Sequence, residues 1–198
     1  MQTPWWFSGR YCLVTIKTLD DALRLHGLTV DETHYPFENE SQFTCDDADF
    51  AGIIDISSRV MQMCAHESYM DCPYYEQLMY VGDTRLEVLV NYAMTGDDRL
   101  PRRAIELFDY SRDKTGFVTE RTTCRNSQFS PTFSMIWTWM VHDYLTWRND
   151  LPWIRERMLG VRSSLDCLEP YVNADFLLEG PPGWPFCDWV PEWSYGTP

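Results

Sequence analysis

Two stretches of the chain repeat one pattern at a separation of 51 residues, and that repeat limits the folds open to it more than any other feature. "YAMTGDDRLPRRAIELF" (92–108) and "YLTWRNDLPWIRERML" (144–159) each pass from a Tyr-containing helix end through a polar turn with Asp to a Leu-Pro pair and a new helix. Proline is tolerated in the first turn of a helix, where its missing N–H has no partner to lose, so Leu100-Pro101 and Leu151-Pro152 mark helix starts. A period near 50 residues is that of helical-hairpin arrays, in which each hairpin buries its faces only against neighbours. The expectation is a mainly α protein of antiparallel hairpins stacked side by side.

The flanking sequence agrees. From Thr44 the apolar spacing is helical, with Thr44 and Asp47 placed as a capping box and Phe50, Ile53, Ile54, Val60, Met61 and Cys64 on one face, which predicts a helix over 46–67. A second helix is expected after Gly82-Asp83, with Leu86, Leu89, Val90 and Ala93 as its stripe and Gly96 beyond its end. Asp97 or Asp98 would cap a third. Ser130-Pro131 opens a fourth through Phe133, Trp137, Met140, Val141 and Tyr144, and Asp150 opens a fifth through Ile154, Met158, Val161, Leu165 and Leu168. Before residue 44 the character differs. "GRYCLVTI" (9–16) and "HGLTVDETHYPF" (26–37) have the β-branched and aromatic content of strands, so residues 1–43 are expected to be a short β segment and 44–198 a helical unit.

Charge and composition exclude several roles. A net charge of −14 with only two lysines, Lys17 and Lys114, argues against a nucleic-acid partner, whose phosphates need clustered cations. No apolar run reaches the ~18 residues of a membrane span, and the N-terminus has neither the basic nor the apolar region of a leader, so a membrane is not an expected partner and a native N-terminus would imply the cytoplasm. The seven cysteines include no C-x-x-C pair and no zinc-like spacing with histidine, so free thiols are expected and no metal or other cofactor is implied.

One segment carries chemistry. "DCPYYEQLMYVGD" (71–83) holds Asp71, Glu76 and Asp83 among Tyr74, Tyr75 and Tyr80, in a loop between the first two helices. Cleaving a glycosidic bond requires one carboxylic acid to protonate the departing oxygen and a second carboxylate for water or the sugar carbon, with aromatic faces to stack on the ring. The same acids could instead cap turns or sit in solvent, with Asp83 as the N-cap of the second helix.

The segment resembles the signature of the α-L-rhamnosidases of glycoside hydrolase family 78, an Asp-Cys-Pro-x-x-Glu run followed by an aromatic and Gly-Asp. In the family's order, "SQFTCDDADFAGIIDISSRV" (41–60) resembles the start of its catalytic helices, "SQFSPTFSMIWTWMVHDY" (127–144) a later helix, and "GWPFCDWVPEWSYG" (183–196) a Trp-x-Phe-x-Asp-Trp segment. The resemblance covers nearly the whole chain. It implies the first part of an (α/α)6 barrel, here incomplete, preceded by the last strands of a β-sandwich, and removal of terminal rhamnose from a glycoside or polysaccharide with inversion. By position Glu76 matches the general acid. Asp71, Asp83 and Tyr80 match groups that hold the sugar, Asp188 and Trp189 match a pocket-lining pair, and Trp184 and Trp137 are further stacking candidates.

Two departures accompany the resemblance. The family usually carries an arginine at or just before the position of Tyr75, and an aromatic there would cover Glu76 and raise its pKa, as suits an acid. The family's general base comes from far downstream of the acid. Among the late glutamates Glu169, Glu179 and Glu192, only Glu192, beside Trp193 and near Asp188, is a conceivable substitute. The chain is therefore expected to carry the acid without the base, to be inactive alone, and to require further barrel hairpins. A truncated sugar-binding module and a structural helical module are the competing readings.

Overall fold

The computed structural model describes residues 5–198; residues 1–4, which begin the segment expected to be β, lie outside the described residues. Five α-helices carry the fold: α1 (Ala48–Met63), α2 (Val81–Met94), α3 (Arg99–Tyr110), α4 (Pro131–Arg148) and α5 (Leu151–Asp166). A two-residue antiparallel ribbon joins β1 (Met79–Tyr80) to β2 (Arg121–Thr122), pairing Tyr80 with Arg121. After a short 3₁₀ turn (Glu169–Tyr171) the chain runs in irregular turns to Pro198.

The helix starts follow local chemistry. Asp47, rather than Thr44, caps α1, its side chain accepting from the Asp49 N–H at 3.0 Å, and the helix ends at Met63, short of the expected 67. Ser130 accepts from the Phe133 N–H and Asp150 from the Trp153 N–H, each with proline in the first turn. Asn149 in the left-handed region (φ 54°) closes α4 and turns the chain directly into α5.

The 51-residue repeat is visible as two hairpins, α2–α3 and α4–α5, packed on each other with α2 against α4. Equivalent positions meet: the Tyr92 and Tyr144 rings lie 6.2 Å apart, and Arg102 bridges the two turn aspartates, Asp98 (2.9 Å) and Asp150 (2.7 Å). The same guanidinium lies 5.4 Å from the rings of both Tyr144 and Trp153, and the Tyr144 hydroxyl donates to Asp98 at 2.6 Å. Arg148 donates to the Thr95 carbonyl at 2.6 Å and stacks on Tyr92. Ile105, Phe108, Trp137, Met140 and Tyr144 fill the core between the hairpins.

Two expectations fail for identifiable reasons. The buried face of α2 is Val81, Thr84, Val88, Asn91 and Tyr92, while Leu86 is 63% exposed and Val90 39% exposed. Two of the inward positions are polar, and Asn91 is used there to donate to the Asp97 carbonyl, so the apolar count pointed to the wrong face. Residues 9–16 and 26–37 form no strand; Tyr11 and Leu13 are more than nine-tenths exposed. A strand exists only through a partner's hydrogen bonds, and none among the described residues supplies them. What this lead-in does supply is a tether. Tyr35 donates its N–H to the Ala65 carbonyl and its hydroxyl to Asp97 at 2.7 Å, and Gly96 donates to Glu40. On α1 the expected apolar face is largely open, with Phe50, Ile53 and Ile56 at least half exposed, and only its last turns reach the core through Met61 and Cys64.

Candidate active site

The loop from Asp71 to Leu78 closes on itself. The Asp71 N–H donates to the Leu78 carbonyl and the Leu78 N–H donates back to the Asp71 carboxylate, both at 2.9 Å. Within the loop the Glu76 N–H donates to Cys72 Sγ at 3.3 Å and the Gln77 amide donates to the Pro73 carbonyl at 3.0 Å, with Gln77 itself in the left-handed region. Asp71 and Cys72 therefore serve as backbone acceptors that fix where Glu76 stands. Pro73, with no N–H and a fixed φ, suits the turn between them.

The chain then enters β1 and α2 with little freedom. A side chain at Gly82 would bring its Cβ to 2.9 Å from the Phe133 ring, so glycine permits the first turn of α2 to approach α4. Asp83 lies within that first turn, and the N-cap is Tyr80 with no side-chain bond; Asp83 is not the cap. The tail folds back over the same end. Trp184 donates its N–H to the Phe129 carbonyl at 3.0 Å, Thr132 donates to the Phe186 carbonyl, and the Phe186 ring packs edge-on against Phe133.

These pieces enclose a cavity of about 510 Å³ whose walls include Asp71, Glu76, Tyr80, Asp83, Trp184, Asp188 and Trp189. Seven of the eight residues expected from sequence thus meet in one place. Trp137 is the exception: it is fully buried and donates its indole N–H to the Ile105 carbonyl at 3.1 Å, a core position that no sugar reaches. Trp184, Phe186 and Trp189 form one aromatic wall, with Trp184 4.7 Å from Phe186 and 5.9 Å from Trp189. Tyr75 does not cover Glu76. It is 87% exposed and meets Tyr74 edge-on.

The cavity is rich in acids short of cations. Asp83 is raised above the usual carboxylate range, first because partial burial of its carboxyl disfavours the charged form and then because Asp71, Glu76 and Asp188 add like charge. Tyr80 is raised as well, by burial and by its bond with Glu76, and its hydroxyl accepts from Arg121 at 3.0 Å. Arg85 is on the wall but is committed to Asp143 at 2.8 Å and stacks on Trp139.

Two acids escaped sequence reasoning. Glu120 lines the cavity at 2% exposure, and burial pushes its carboxyl up to about 7, with Glu76 and Asp83 adding to the rise and Arg121 opposing it. Glu87, one turn beyond Asp83 on α2, is pushed to about 9 by burial and by the charges of Asp83 and Asp71. Glu120 lies outside the signature and is brought in by the β1–β2 ribbon, a long-range pairing without a local signal. The i, i+4 spacing of Asp83 and Glu87 was the one available clue to the second. Glu169, Glu179 and Glu192 are not in the cavity lining, so Glu192 does not take the place of a second catalytic carboxylate in this structure.

Comparison with known proteins accords with this arrangement. A family model described as the bacterial alpha-L-rhamnosidase 6 hairpin glycosidase domain matches residues 38–197. The crystal structure of a GH78 family rhamnosidase of Bacillus sp. GL1 is similar to the chain with a TM-score of 0.73 and 27% identity, covering 80% of this chain and 16% of that one. A rhamnosidase from Klebsiella oxytoca with rhamnose bound shares the fold, with a TM-score of 0.64 and 22% identity over 69% of this chain and 28% of that one. No curated protein sequence matches significantly. The chain thus spans a small fraction of the solved proteins it matches. No helix among the described residues is long and apolar enough to cross a membrane. A mainly helical hairpin fold, an acidic cavity with an aromatic wall, and a family match over residues 38–197 lead to one assignment: the chain belongs to the bacterial α-L-rhamnosidase six-hairpin glycosidase family.

Proposed function

We propose that this chain forms the acid-bearing part of an inverting α-L-rhamnosidase site, in which Glu76 protonates the glycosidic oxygen as terminal rhamnose departs. The observation that carries the reading is the convergence on one cavity of Glu76, three aspartates and an aromatic wall. Glu76 is solvent-exposed on a loop that fixes its backbone, which suits a donor serving a leaving group that must exit to water. In this reading Asp71, Asp83 and Asp188 accept from sugar hydroxyls, and Trp184 and Trp189 cover the apolar face of the ring. Residues 1–43 are read as the lead-in from a preceding β-sandwich whose other strands would have to pair with them, and 44–198 as the first part of the barrel.

Inversion needs a base ~6.5–9.5 Å from the acid, with room for a water between them. Further hairpins of the barrel are the proposed source of that carboxylate. In an active enzyme carrying this chain, Glu76→Gln should lower rhamnose release from an aryl α-L-rhamnoside by ~10² or more, and an unimpaired variant would overturn the assignment. The 198-residue chain alone should show no turnover, and its open apolar face on α1 should make it self-associate. A monodisperse monomer in sedimentation would contradict the second expectation. Sugar binding without turnover is the second reading, favoured by the lack of a late glutamate in the cavity wall.

A further inference from the structure

Glu120 is unlike the other acids of the cavity. Its backbone is held on both sides, the N–H donating to the Gln128 carbonyl at 2.7 Å and the carbonyl accepting from Val81 at 3.0 Å. The residue is 2% exposed, yet it lines the cavity, and its Oε2 is buried without a hydrogen-bond partner among the described residues. An unpartnered buried carboxylate oxygen is costly, typically ~1–3 kcal/mol, and such atoms are rare unless something else completes them. Glu76, by contrast, is exposed.

The geometry points to Glu120 as a sugar-binding residue at the floor of the cavity, donating a hydrogen bond from its carboxyl group to a ring hydroxyl of the terminal deoxyhexose. The inference rests on the rhamnosidase reading of the cavity and adds a contact to it. An ionised Glu120 would face Glu76 and Asp71 from the loop, Asp83 from α2 and Asp188 from the tail. Against these stand the Arg121 guanidinium on β2 and Arg85, which is paired to Asp143. Tyr80, on β1, keeps its proton well above neutrality. Burial among like charges holds the Glu120 proton on up to about pH 7, so below that pH the group is a donor surrounded by acceptors. A neutral donor discriminates well: a site built to bond a hydroxyl rejects the analogue lacking it, because the buried group is then left unpaired.

The test is binding of methyl α-L-rhamnoside to the chain, measured by isothermal titration calorimetry, with its 2-, 3- and 4-deoxy analogues alongside. Glu120→Gln keeps the shape and a donor and should bind as wild type at pH 5.5, whereas Glu120→Ala should bind ~10-fold more weakly, the effect of one net hydrogen bond. Between pH 5.5 and 8.5 the wild type should lose affinity and Glu120→Gln should lose less. One deoxy analogue should bind wild type weakly and show no further loss with Glu120→Ala, a coupling that a merely structural role would not produce. Equal binding by wild type and Glu120→Ala, Glu120→Gln as weak as Glu120→Ala, or additive losses for all three analogues would each overturn the inference and leave the rhamnosidase reading standing. A wild-type chain that binds no rhamnoside at any pH would overturn the inference, and the rhamnosidase reading would still be decided by Glu76→Gln in an active enzyme.

Discussion

The two ends of the α2–α3 and α4–α5 hairpins treat their acids in opposite ways. At the turn end Asp97, Asp98 and Asp150 each face an arginine: Arg99 lies on Asp97 at 2.6 Å, and Arg102 joins Asp98 to Asp150. The guanidinium beside Asp97 holds its carboxyl well below the usual range. At the cavity end, one helix length away, Asp83, Glu87 and Glu120 are all raised, and the arginines nearby are turned to other partners or to Tyr80. The same residue type stabilises one end and burdens the other. A fold holds such a burden at one place when the place is reserved for a ligand, and offsets it with paired charge elsewhere.

That contrast can be broken at either end. The largest effect is expected from Glu87. Its folded pKa of about 9 lies above the ordinary 4.5, so the stability it lends is complete below about pH 4.5 and is lost as pH rises toward 9. Urea unfolding at pH 5 and pH 9 should show a fall on the order of 5 kcal/mol for wild type and a markedly smaller one for Glu87→Gln. Equal slopes would mean that the cavity end is not burdened. At the turn end Arg102→Met should cost about 2 kcal/mol, less than for a fully buried pair because its partners keep some water, and should leave rhamnoside binding unchanged. Gly82→Ala forces a Cβ against the Phe133 ring and should cost about 1–2 kcal/mol in thermal melts while also weakening binding, since Phe133 is part of the cavity wall. The smallest effect is expected from Tyr75→Ala, within about 0.5 kcal/mol, with the pH–rate profile of an active enzyme unchanged; a shifted alkaline limb, where a general acid loses its proton, would restore Tyr75 as cover for Glu76.

What could be read from sequence was what is decided locally. Ser130-Pro131, Asp150-Leu151-Pro152 and the paired Leu-Pro turns identify α4, α5 and the stacking of two hairpins because capping and proline chemistry act within one turn. The 71–83 segment was legible because its residues bond one another, as Asp71 with Leu78 and Cys72 with Glu76. Features decided at a distance were not legible. Glu120 reaches the cavity through a two-residue ribbon, the inward face of α2 carries Thr84 and Asn91, and the lead-in of residues 9–37 has strand-like composition without a strand to pair with.

The fold-back of the tail has a kinetic consequence. The α2–α3 and α4–α5 turns join near neighbours in sequence and can form early, but the cavity must bring Asp188 and Trp189 to Asp71, more than a hundred residues away. The tail is tied to the start of α4 by the Trp184 N–H donating to the Phe129 carbonyl and by Thr132 donating to the Phe186 carbonyl, while Cys187 bonds within the tail, to Gly196. Amide exchange at Trp184 and Cys187 should therefore outpace that at the centre of α4, and a bound sugar that touches both loop and tail should slow it. The cavity would then be the last part of the chain to assemble and the first to open, with its ligand acting as the late clasp between sequence-distant halves.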